Sequence, residues 1–104
     1  MANSTVILNT PIEGHEGQVK HIVLRPPKYA DIMMLGEPAA FARSDGGMVY
    51  QAEKENVIQG YIERLLIEPK DPLLLIQLDL IDTLQLKDAV HDFFAAARQA
   101  TSAK

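Results

Sequence analysis

The groups of this 104-residue chain that could do chemistry are three histidines, 14 carboxylates and 10 lysines and arginines. His15 and His21 lie near Glu13 and Glu16 in the sequence, and these are the nitrogen and oxygen donors from which zinc and nickel sites are built. Their spacing does not force convergence, because His15 falls in a turn and His21 in a strand, so they read as solvated polar residues. Asp88, His91 and Asp92 recur at i, i+3 and i+4, which would bring acid and base to one side of a helix; a charged outer helix face accounts for them better. No glycine-rich phosphate loop, nucleophile elbow or helix-borne metal motif occurs, and the Gly46-Gly47 pair precedes no basic residue. The absence of cysteine removes thiol catalysis, iron-sulfur clusters and thiolate zinc sites, and it fits a reducing compartment. No two carboxylates are placed by sequence in an apolar setting that would raise a pKa for acid catalysis. The expectation is a protein without catalysis, metal or cofactor.

Charge narrows the partners. Fourteen acids against 10 bases leave a formal −4, which disfavours approach to a phosphate backbone. Arg25, Lys28 and Arg43 are the basic residues between Lys20 and Lys54, and Tyr29 and Phe41 beside them are too few to stack bases, so no nucleic-acid partner is expected. Apolar runs such as Leu73 to Ile76 fall far short of the roughly 20 residues of a membrane span, and Met1 to Thr5 lacks the basic start of a secretory signal. No membrane association is expected, and the protein should stay where it is made.

The elements that must position these residues follow from periodicity and punctuation. At 47% hydrophobic and 23% charged, the chain has the composition of one globular domain. Thr5 to Asn9 and Val19 to Leu24 predict a β-hairpin within residues 4–24, its strands joined by a long loop over 10–18. Arg25-Pro26-Pro27 ends the second strand and starts a short helix over 28–35, with Tyr29, Ile32 and Met33 as its buried stripe, Asp31 in its first turn and Gly36 closing it. Residues 37–47 read as a loop. Between 51 and 67, Val57, Ile58, Tyr61, Ile62, Leu65 and Leu66 form a 3.6-residue stripe, a helix that Glu68-Pro69 ends. Gly60 inside it suggests another backbone passing close. Asp71-Pro72 launches a short segment over 73–78; Asp79, with Asp82 in the capping-box position, starts a terminal helix to about residue 99, followed by a frayed tail over 100–104. The order ββααα, a hairpin followed by three to four helices over 28–99, makes a small α+β domain with Ile7, Ile22, Ile58, Ile62, Leu65, Val90 and Phe93 in its core.

The terminal helix carries two apolar sides. Leu86, Val90, Phe93 and Ala97 align at about 100° per residue, whereas Leu80, Ile81 and Leu84 point roughly the opposite way. Leu73 and Leu74 on one side, and Leu80, Ile81 and Leu84 on the other, with Met34 at the edge, are therefore the candidate walls of a groove for an apolar helix of a partner. A second copy of the domain, giving a homo-oligomer, or burial within the monomer would satisfy the same residues, and on the sequence all three stay open.

Several of these signals recur in one order. Leu8, Pro11 and Ile12 give L-x-x-P-I in the hairpin, with Gly17 before the second strand; Leu24, Arg25, Pro27 and Asp31 lead into the helix; Leu78, Asp79, Asp82, Leu86, Val90 and Phe93 close the chain. Together, over about Val6 to Phe94, they resemble the small tail assembly chaperones of tailed phages and prophages. The resemblance implies a non-enzymatic protein of the host bacterial cytoplasm, absent from the mature virion, that keeps the tape measure protein soluble while the tail tube polymerises around it. Pro26, where that family often has an acid, and Thr83, where an apolar residue is usual, depart from the pattern. Arg25 and Asp31 are matched polar residues, and an ion pair fixing the strand-to-helix corner is their expected role. Beside the resemblance, the residues fit a small regulatory protein, antitoxin-like or anti-repressor, or a structural virion component.

Overall fold

The N-terminal hairpin is longer and more tightly turned than its sequence suggests. The computed structural model describes residues 1–43 and 49–102. In it, β1 (Ser4–Gly14) and β2 (Gly17–Leu24) pair antiparallel from Ser4 opposite Leu24 to Gly14 opposite Gly17, leaving only His15 and Glu16 in the turn. Most of the expected loop over 10–18 is therefore strand. Pro11 lies in an irregularity of β1 where residues 8–11 face Lys20 alone; a bulge on an edge strand has no ladder bond for proline to lose. Gly17 ends the turn at φ +126°, a conformation open to glycine. Val6, Leu8 and Ile12 of β1 and Ile22 and Leu24 of β2 face the core. Ile7, expected in the core, is instead 69% exposed. All three residues of Val6-Ile7-Leu8 suit either side of a strand, and only the pairing register sets which parity points inward.

In α1 (Tyr29–Leu35) the expected face is also reversed. The buried residue is Asp31, while Tyr29 and Met33 are exposed and Ile32 is half-buried. Two helical turns are too short for apolar spacing to select a face, and the polar anchor described below selects it instead. Gly36 closes α1 at φ +77°, its N–H donating to Ile32 O at 2.7 Å, as the sequence indicates.

Residues 39–43, expected as loop, form β3 (Ala39–Arg43), which pairs antiparallel with β4 (Val49–Glu53) where the start of a helix was expected. The Ser44 to Gly47 part of that loop lies outside the described residues. Lys54 N–H donates to Pro38 O at 2.9 Å and closes the base of this second hairpin. Alanine-rich β3 carries little strand propensity, so its conformation comes from its pairing.

α2 (Glu55–Leu65) buries Ile58, Tyr61 and Leu65 and leaves Ile62 half-buried at the edge of the core. Its Gly60 has a close neighbour, but a side chain and not a backbone: a Cβ there would lie 2.9 Å from Leu35 Cδ2. The helix stops before the expected end, and β5 (Leu66–Glu68) joins β2 through Val23 opposite Glu68 and Leu24 opposite Leu66, completing a sheet of order β1-β2-β5. Pro69 disfavours helix at the residue before it, consistent with this switch.

A 3₁₀ segment, Pro72–Gln77, follows, its N-cap Asp71 accepting from Leu73 N–H at 3.0 Å as expected. The Gln77 side-chain amide donates to Glu13 O and accepts from Glu13 N–H, both at 2.9 Å, tying this segment to β1. α3 (Leu80–Ser102) buries Leu86, Ala89, Val90 and Phe93, and it remains helical through residues 100–102 of the expected tail; residues 103–104 lie outside the described residues. α2 and α3 pack together over the sheet, with Tyr61 and Phe94 edge to face at 5.3 Å. The α+β architecture is the one the sequence indicates.

The expected capping box at α3 is half realised. Asp79 Oδ1 accepts from Asp82 N–H at 2.8 Å, but the Asp82 carboxylate turns away and accepts the Asn9 and Thr10 N–H groups of the β1 bulge at 2.7 and 3.0 Å. Buried and in no ion pair among the described residues, Asp82 is satisfied by these two amides and by its place in the first turn of a helix. Asp79 Oδ2 also accepts the Thr10 hydroxyl at 2.8 Å. The helix start and the bulge therefore hold each other.

Candidate protein-binding site

The polar residues singled out by sequence act in the fold. Asp31 accepts both terminal nitrogens of Arg25 at 2.8 and 3.0 Å, the backbone N–H of Lys28 at 2.8 Å, and Nε of Arg64 from α2. The strand-to-helix ion pair expected from the sequence is thus present, and Arg64, 33 residues away, is the member that sequence reading missed. Hydrogen bonding from Arg25, followed by the Lys28 N–H and Arg64, holds the Asp31 carboxyl well below the usual carboxylate range against the opposing effect of burial. The same contact raises Arg25. Next to this corner the buried Tyr61 donates its hydroxyl to Gly36 O at 2.5 Å, and burial raises its pKa.

The histidines do not converge. His15 Nε2 pairs with Asp71 Oδ2 at 2.8 Å and His21 Nε2 with Glu68 Oε2 at 3.1 Å, so each meets a carboxylate distant in sequence and not the neighbouring Glu13 or Glu16. All four side chains are solvent-accessible. The His15 bond lowers the pKa of Asp71. Among the described residues no three His, Asp or Glu side chains are grouped to hold a metal ion. Asp88 and Asp92 are exposed on α3 and His91 is half-buried.

The apolar candidates divide between two places. Leu73 and Ile76 are 78% and 89% exposed; in a 3₁₀ segment positions i and i+3 eclipse, so they form one apolar rim. Below them a groove of about 520 Å³ runs between α2, the 3₁₀ segment and α3, with Ile58, Ile62, Leu75, Leu78 and Leu86 along it. Leu74 does not line this groove. It shares the inward side of the 3₁₀ segment with Gln77 and packs against the core. Leu80, Ile81 and Leu84 do not line it either. They are 73%, 53% and 48% exposed on the outer side of α3, so they are not core residues of the monomer. Met34, expected at the groove edge, lies exposed on α1, where its sulfur accepts from Arg64 at 3.1 Å.

The groove wall missed by sequence is α2. Ile58 and Ile62 belong to its periodic stripe, but that stripe reads as core throughout, and only the packing shows its margin left open. Among the described residues no helix is long and apolar enough to cross a membrane.

Fold and surface together define a small α+β domain that carries an apolar groove and, apart from it, an exposed apolar helix face. Comparison with protein families, curated proteins and solved structures finds no match.

Proposed function

We propose that this protein is a non-enzymatic tail assembly chaperone of a phage or prophage, which binds the tape measure protein and keeps it soluble in the host bacterial cytoplasm and does not enter the mature virion. The observation that carries this reading is the open groove, apolar along its floor and rimmed by exposed Leu73 and Ile76. A long helical protein whose apolar stripes await the closing tail tube needs a complementary apolar surface, and a groove between elements is the ordinary receptor for such a helix. Large exposed apolar side chains in one region of so small a domain mark an interaction surface. The motif order from Leu8 to Phe93 supports the same reading.

The test is to seek a long helical open reading frame beside this one and to co-express its product with this chain. Retention of that product in the soluble fraction, bound to this chain and lost on Ile76→Glu, is the expected result. An insoluble partner that this chain does not retain, or the presence of this chain in purified particles, overturns the proposal.

A further inference from the structure

We infer that the groove takes an amphipathic helix flanked by basic residues, and that the outer face of α3 is not part of this site. The inference rests on the chaperone reading for the identity of the partner, but its geometry is independent of it. Glu55, Gln59 and Glu63 stand at i, i+4 and i+8 of α2 and form one ridge along the groove. The opposite rim is Leu73 and Ile76, without charge, and Lys87 of α3 also lines the groove, so two carboxylates stand there against one ammonium. A helix laid between them meets carboxylates on one flank and leucine and isoleucine on the other.

The rim keeps an excess of negative charge, with Glu55 and Glu63 against Lys87. Glu55 forms a long ion pair with Lys87 at 4.0 Å, and its side chain, 79% exposed, stays open to a second cation. Glu63 accepts a hydrogen bond from Gln59 at 3.5 Å and joins none of the ion pairs among the described residues. The two carboxylates are separated by eight residues, about 12 Å along the helix axis. A partner helix running alongside α2 satisfies both with Lys or Arg about two turns apart on one flank, while residues at i, i+3, i+4 and i+7 face Ile58, Ile62 and Leu75. A helix with an acidic flank meets the same ridge with repulsion. The net charge of −4 acts in the same direction at longer range.

The experiment uses the full chain and two synthetic helical peptides of about 16 residues, long enough to span α2, with leucine at i, i+3, i+4 and i+7. One carries lysine and the other glutamate on the flank. Binding is followed by fluorescence anisotropy at about 0.05 M and 0.5 M salt. The lysine peptide should bind at least about tenfold more tightly at low salt, a difference of 1.4 kcal/mol, with the gap narrowing at high salt. Glu55→Lys combined with Glu63→Lys should reverse the preference, Ile76→Glu should remove binding of both peptides, and Ile81→Glu should change neither. All these positions are exposed, and circular dichroism confirms that the variants fold. Equal binding of the two peptides, no binding of either, or loss with Ile81→Glu and not with Ile76→Glu overturns the inference. Co-expression separates it from the chaperone reading. If the adjacent helical protein is retained equally by the wild type and by both groove variants, the groove inference fails and the chaperone reading stands. If the peptides behave as stated but that protein is not retained, the reverse holds.

Discussion

Replacing Asp31 with asparagine should be among the most damaging single polar changes in the fold. Asp31 is buried and accepts four hydrogen bonds, two from Arg25, one from Arg64 and one from the Lys28 N–H. Removing one partner of a buried ion pair costs about 3–5 kcal/mol because the remaining charge is stranded. Here the stranded groups are guanidiniums with side chains 32% and 35% exposed, which water can partly reclaim, so the expected loss is about 2–4 kcal/mol. For a domain near 100 residues that lowers Tm by roughly 10–25 °C. The sign of the pH dependence is fixed by the depressed carboxyl. Asp31 stabilises the fold fully above the ordinary aspartate value of about 3.9 and loses this contribution as pH falls below it toward the lower value in the folded protein. Urea unfolding of wild type and Asp31→Asn at pH 7 and pH 3 should therefore show a gap that shrinks at the lower pH. A loss under about 1 kcal/mol at pH 7, or a gap that widens on acidification, refutes the assignment of Asp31 as the anchor of this corner.

Asp82→Ala leaves the Asn9 and Thr10 amides without their acceptor; a loss of about 2–4 kcal/mol and faster hydrogen exchange at those two amides are expected, measured by urea unfolding and NMR. Leu74→Glu should destabilise by about 2 kcal/mol or more, because this side chain packs on the core, whereas Ile81→Glu on the exposed side of α3 should stay within about 0.5 kcal/mol; thermal melts of the pair compare them directly. Phe93→Ala should cost about 3–5 kcal/mol by cavity formation, while Tyr61→Phe, which loses one hydrogen bond to the exposed Gly36, should cost about 1 kcal/mol in the same denaturant assay.

The elements legible in the sequence are those whose signals repeat or are local. The stripe Ile58, Tyr61, Leu65 and the stripe Leu86, Val90, Phe93 persist over several turns, so both long helices are legible with the centres of their buried faces, although α2 is shorter at both ends than expected, Ile62 is only half-buried and Ala97 of the second stripe is exposed. Asp71 and Asp79 act within three residues of themselves, and both cap as expected. Gly36 is required where it stands because its φ is positive. The Arg25–Asp31 pair spans six residues, near enough for sequence to suggest it.

Tertiary structure alone decided the rest, because each remaining feature depends on a partner far along the chain. β5 is three residues long and exists because β2 presents an edge to it; nothing within Leu66-Ile67-Glu68 distinguishes it from the end of a helix. Ile7 faces out because β1 is registered against β2 with Val6 and Leu8 inward. Asp82 serves the bulge and not its own cap because Asn9 and Thr10, more than 70 residues earlier, present two unsatisfied amides to it. Leu73 and Leu74 were alike in sequence, and the Gln77 bond to Glu13 turns one outward to the groove and the other into the core. Sequence thus determined that this chain folds as an α+β domain with more apolar surface than its helices can bury among themselves. Which of that surface stays open was decided by the rotation of the 3₁₀ segment and α3 about β1, through hydrogen bonds whose partners no local pattern can pair.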